Sequence, residues 1–135
     1  MSQGETEVRL GPGGAPTGRL LFGLVGGWMA WTLHFLGGYA VGSIGCVMGW
    51  SATRMVLAAG TVLLAGVALW SSALAWQDWR RVSAGQPWDE ALSEPRGWFG
   101  FLMLAGALLG GLATVTILLE GFATLALPAC GWDVR

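Results

Sequence analysis

The chain has very little charge. Lysine is absent, so all seven basic residues are arginines, and charged residues make up 11% of the 135 positions. There is one histidine, one tyrosine and two cysteines. So few charges exclude an ordinary soluble domain, and an apolar share of 54% excludes a disordered chain. A net charge of −1 supplies no basic field, so nucleic acid is not an expected partner. With one histidine and two separated cysteines, there is no clustered metal site. No phosphate-binding glycine loop is present, and nothing amounts to a complete catalytic site, so a non-enzymatic role is expected. The length allows one domain.

What the chain has instead is long apolar runs. Leu20 to Cys46 contains no charged residue. Crossing a hydrocarbon core of about 30 Å takes roughly 20 helical residues, and in lipid the backbone must satisfy its own hydrogen bonds, so this run is expected to be a membrane-spanning helix. A cleavable signal peptide is the competing reading. The run is too long for one, and two further apolar runs follow. The fold expected is all-α: an integral membrane protein with three transmembrane helices over about 20–46, 55–79 and 98–127. Residues 1–18, rich in Gly and Pro, read as a flexible cytoplasmic tail, 19–132 as the transmembrane domain, and 80–97 as a polar cytoplasmic loop. Within that loop, Pro87 followed by Asp89 and Glu90 suits the start of a short surface helix.

Arginine placement sets the expected orientation. Arg9, Arg19, Arg80, Arg81 and Arg96 fall on one side of a three-span chain, and Arg54 and Arg135 on the other. The richer side is cytoplasmic, which puts the N-terminus in and the C-terminus out. Trp50, Trp76, Trp79, Trp98 and Trp132 sit near the expected interfaces and read as belt residues, with an aromatic ligand cage as the weaker alternative.

In the first run, Gly23, Gly27, Ala30, His34, Gly38 and Gly42 follow at steps of three or four, which puts them on one helical stripe. Gly23/Gly27 and Gly38/Gly42 are small-xxx-small pairs that let another helix approach closely. In the third run, Glu120 shares a stripe with Gly106, Gly110, Ala113 and Thr124. Glu120 reads as the only acid inside a span, and ionisable residues there are costly and face the bundle interior.

Cys46 follows the first span and Cys130 the third, so both are expected at the outer, oxidising face, where a disulfide would staple the two helices. Two unpaired thiols, or a two-cysteine copper site, remain alternatives. His34 is twelve residues from Cys46 and Glu120 ten from Cys130. At about 1.5 Å per residue both lie roughly 15–18 Å below that level. A His34–Glu120 pair between the first and third helices is therefore expected. The alternatives are contact with a partner subunit, haem ligation by His34, or separate hydrogen bonds to hydroxyls such as those of Thr32, Tyr39, Thr114 and Thr116.

The pattern Trp31-Thr32-Leu33-His34-Phe35, then Tyr39 and Cys46, resembles small bacterial membrane proteins encoded beside haem-copper cytochrome c oxidases. So does the closing stretch from Phe101 through Gly106, Glu120 and Phe122 to Cys130. The resemblance covers about Leu20 to Trp132. It implies a multi-pass protein of the bacterial inner membrane that acts as a non-catalytic accessory subunit of a respiratory complex. It further implies other membrane subunits and lipid as partners, with haem and copper carried by those subunits rather than by this chain. The alternatives are a transient assembly factor delivering haem or copper, or a small quinone- or proton-handling protein using His34 and Glu120.

Overall fold

The computed structural model describes residues 17–84 and 95–127. These form three α-helices: α1 (Thr17–Met48), α2 (Thr53–Ser83) and α3 (Pro95–Ala126). All three are long and apolar enough to cross a membrane. The expected tail (all but Thr17 and Gly18), the short helix near Pro87, and Cys130 lie outside the described residues.

Each helix runs past its apolar stretch. α2 continues to Ser83, so Arg80 and Arg81 are helical and do not open the loop. Gln and Arg are good helix formers, and nothing between Trp76 and Ser83 breaks the ladder. α3 begins at Pro95, where the missing N–H costs nothing, and ends ahead of Pro128. Between α1 and α2 the chain reverses in four residues. Gly49 takes φ 62°, and the Trp50 N–H donates to the Gly45 carbonyl at 3.0 Å. Among the described residues, this left-handed C-terminal cap is the one place where the backbone itself requires glycine.

The contacts define the packing. Gly23 lies against Ala75 and Gly45 against Thr53, so α1 and α2 are antiparallel. Gly110 lies against Ser72 and Gly121 against Thr61, so α2 and α3 are antiparallel as well. α1 and α3 therefore run parallel, with Gly27 against Gly110 and Gly106 against Leu24.

The interior is built from small side chains. Ala30, Ala65, Ala68 and Ile117 form one buried cluster, and Leu20 with Met103 forms another. Ser72 bridges α2 and α3 through its hydroxyl, which donates to the Ala107 carbonyl at 2.6 Å. Large apolar residues such as Leu33, Leu36, Leu63, Leu69, Leu112 and Leu119 point outward. Lipid is as apolar as leucine, so in a membrane burying leucine would gain little. Close approach of backbones and hydrogen bonds across helices supply the cohesion instead.

This packing divides the expected stripe on α1. A Cβ at Gly23 would touch Ala75, and one at Gly27 would come within 2.6 Å of the Gly110 Cα. Gly106 and Gly110 are equally close to their neighbours. At Gly38 and Gly42 a Cβ would meet nothing within 4 Å. These two glycines therefore do not pack a helix of this chain. The expected stripe is a seam only in its first half; at Gly38 and Gly42 it opens into a groove, and α1 meets α2 again at Gly45.

Candidate functional site

The main polar constellation forms where that seam ends. His34 projects from α1, Thr61 from α2 and Glu120 from α3. His34 Nδ1 is 3.2 Å from Glu120 Oε2, and His34 Nε2 is 3.0 Å from Thr61 Oγ1. The His34 side chain is 10% exposed and that of Glu120 33%. Gly121, next to Glu120, lets α3 press on Thr61, because a Cβ there would collide with the threonine side chain.

The hydrogen bonds fix where protons sit. Thr61 Oγ1 is 2.9 Å from the Leu57 carbonyl, which can only accept. The single hydroxyl proton therefore goes to Leu57, and Thr61 accepts from His34. That assigns a proton to Nε2. Nδ1 then faces Glu120 Oε2, and a hydrogen bond between them needs one proton. It sits on the carboxyl when the pair is neutral, or on the imidazole when the pair is an ion pair. Either state has no net charge, which suits a low-dielectric position. The arrangement can therefore hold, accept or release a single proton.

The other hydroxyls weighed as partners for His34 or Glu120 are engaged elsewhere. Thr32 donates to the Trp28 carbonyl, Thr114 to Gly110 and Thr116 to Leu112, each within its own helix. Tyr39 is 76% exposed. Thr61 was not among the expected partners. The only signal for it was a threonine in the first half of the second apolar run, which also carries Ser71 and Ser72.

Compared with protein family models, curated proteins and solved structures, the chain matches none. The association with oxidases therefore rests on the residues quoted above alone.

A second polar cluster was missed at the opposite end of the bundle. Asp78 is 4% exposed, although Glu120 was expected to be the only acid inside a span. Arg19 Nη2 lies 3.1 Å from Asp78 Oδ1 and 3.2 Å from Gln77 Oε1. Arg81 Nη1 lies 3.7 Å from the same aspartate oxygen. Neither Asp78 oxygen nor Arg19 Nε has an aligned hydrogen bond, so Asp78 is held by charge proximity, while Arg19 Nη2 donates to Gln77 Oε1 across the α1–α2 contact. Asp78 was overlooked because, beside Trp76, Trp79, Arg80 and Arg81 at the end of the expected span, it was read as interfacial, whereas the helix carries it inward.

Of the two cysteines, Cys46 lies in the last turn of α1, and Cys130 is outside the described residues. Trp28 and Trp31 meet edge-on with ring centroids 5.5 Å apart. With Leu109, Leu112, Ala113 and Thr116 they wall a hollow of about 150 Å³ between α1 and α3. Trp31 also stacks on Phe35 with centroids 6.1 Å apart.

Proposed function

We propose that the protein is a non-catalytic accessory subunit of a larger membrane complex, seated there by helix packing. The observation that carries this reading is the hollow walled by Trp28, Trp31, Leu112 and Ala113. It is an apolar recess on the outer face of α1 and α3, shaped to take a bulky side chain from a neighbouring helix. Shape-matched packing is what joins helices in lipid. The partner we assign is a respiratory complex of the bacterial inner membrane, with cytochrome c oxidase as the first candidate. That assignment comes from the resemblance of Trp31–Cys46 and Phe101–Cys130 to oxidase-associated proteins. Haem and copper then belong to the partner subunits.

The N-terminus is cytoplasmic in this proposal, following the arginine distribution. The C-terminal ends of α1 and α3 then face the oxidising side. The parallel register set by Gly27 with Gly110 and His34 with Glu120 runs on toward Cys46 and the segment after Ala126, which supports a Cys46–Cys130 staple there. Mass spectrometry without reductant tests it by the loss of two thiol hydrogens.

A pull-down of the full chain in mild detergent, with a visible absorption spectrum of the eluate, tests the docking reading. Stoichiometric recovery of a haem-containing complex is expected, and Ala113→Leu, which fills the hollow, should reduce it. Elution of the chain alone refutes the reading. Recovery only from cells still assembling the complex would identify a transient assembly factor.

A further inference from the structure

Each member of the His34–Thr61–Glu120 triad has a neighbour one helical turn to either side, and the two sides differ. Toward the C-terminal ends of α1 and α3, the neighbours are Gly38 and Thr124. The matching step on antiparallel α2 is Leu57. These three, with Gly42, Ala123 and Leu127, line a groove of about 270 Å³. One turn the other way lie Ala30, Ala65 and Ile117, at 2%, 6% and 0% exposure, closed into one cluster with Ala68. The triad thus has a groove one turn away on one side and a sealed cluster on the other.

We propose that His34 and Glu120 form a dead-end proton site, which exchanges its single proton with water at the C-terminal face of the bundle and not with the opposite face. The groove is shallow. Glu120 is six residues from the α3 terminus at Ala126, or about 9 Å at the helical rise. The glycine wall of α1 keeps the groove wide; its lining is apolar apart from Thr124, so water entering it would be anchored by Thr124 and Glu120. Glu120, one-third exposed, is more accessible than His34. Loading adds a proton from water to Glu120 Oε2 or His34 Nδ1, and release returns it to water. No other bond changes. No other charge competes, because α2 carries none between Arg54 and Asp78. α1 carries none after Arg19, and α3 carries none between Arg96 and Glu120. The inference concerns the chain alone and does not depend on docking to a complex.

The test uses the full chain in liposomes in a single orientation, checked by protease access to the N-terminal segment. Infrared difference spectra are recorded while pH is changed with an impermeant buffer on one side at a time, and the Glu120 carboxyl band is identified by its loss in Glu120→Gln. The expected result is a band that follows the pH of the C-terminal side and ignores the other. Gly38→Leu fills the groove and should slow the response by about tenfold or more, since the side chain takes the space water needs. Ala123→Leu, at an exposed groove position, serves as an independent plug whose folding is checked by circular dichroism. A band that follows the N-terminal side, follows both sides or follows neither overturns the proposal. So does an unchanged response in both plugged variants.

Discussion

Replacing Gly27 by alanine adds one methyl group at the closest approach of α1 and α3. Built on the backbone, that methyl lies 2.6 Å from the Gly110 Cα, which is backbone and cannot rotate away. Carbon atoms settle at about 3.5–4.0 Å, so the helices must separate locally by about 1 Å. Overpacking of this kind costs about 1–3 kcal/mol. The alanine also favours the helix by up to about 1 kcal/mol, which masks part of the loss. Gly38→Ala corrects for this, because it makes the same change on the same helix where nothing lies within 4 Å. Subtracting one from the other leaves packing alone. Reversible unfolding in mixed micelles should find Gly27→Ala less stable than Gly38→Ala by about 1–3 kcal/mol. Equal stability of the two variants would refute the assignment of a seam that stops at His34.

Other outcomes follow from the polar contacts. A double-mutant cycle of His34→Ala and Glu120→Gln, read by the same unfolding assay, should give a coupling of about 1 kcal/mol, in the range found for side-chain hydrogen bonds between membrane helices. Strictly additive losses would count against the pair. Thr61→Val removes the oxygen that accepts from His34 Nε2 and should cost about 1–2 kcal/mol. It should also release the imidazole tautomer, visible in the nitrogen chemical shifts of labelled histidine. Asp78→Ala leaves Arg19 without its acid and should cost about 1–3 kcal/mol, discounted from a fully buried pair because Arg19 is partly exposed. Arg81→Ala should change stability by less than about 0.5 kcal/mol, since that side chain is mostly in solvent. A thermal melt that ranks Arg81→Ala as the more harmful of the two would refute this description of the cluster.

The three helices were legible in the sequence because hydrocarbon thickness demands apolar length, and three runs supply it. Their ends were less legible. Gln77 to Ser83 and Pro95 to Gly97 are polar yet helical, since polarity marks the interface and not the end of the hydrogen-bond ladder. The separation of His34 and Glu120 from the expected outer level suggested a common depth, and the structure puts the two side chains together. Thr61 was invisible to that reasoning, because depth counted from the cysteines says nothing about the second helix. Periodicity also spread the seam of α1 over its whole length. Spacing establishes which residues share a face but does not tell how far a neighbouring helix follows that face. Gly38 and Gly42 keep the spacing where no neighbouring helix presses on them, before Gly45 meets Thr53 of α2.

A bundle whose inside is glycine, alanine and serine, and whose outside is leucine and tryptophan, reverses the usual pattern of mutational tolerance. In a water-soluble domain, the exterior accepts nearly any polar residue and the interior accepts modest changes of apolar shape. In this chain the exterior should interchange Leu, Ile, Val and Phe freely and reject charge, whereas interior positions such as Gly27 and Gly110 should reject even a methyl group. Over evolutionary time its lipid-facing residues would drift while the small ones stayed fixed, so distant versions of this protein would be recognised by their glycines before their hydrophobic residues.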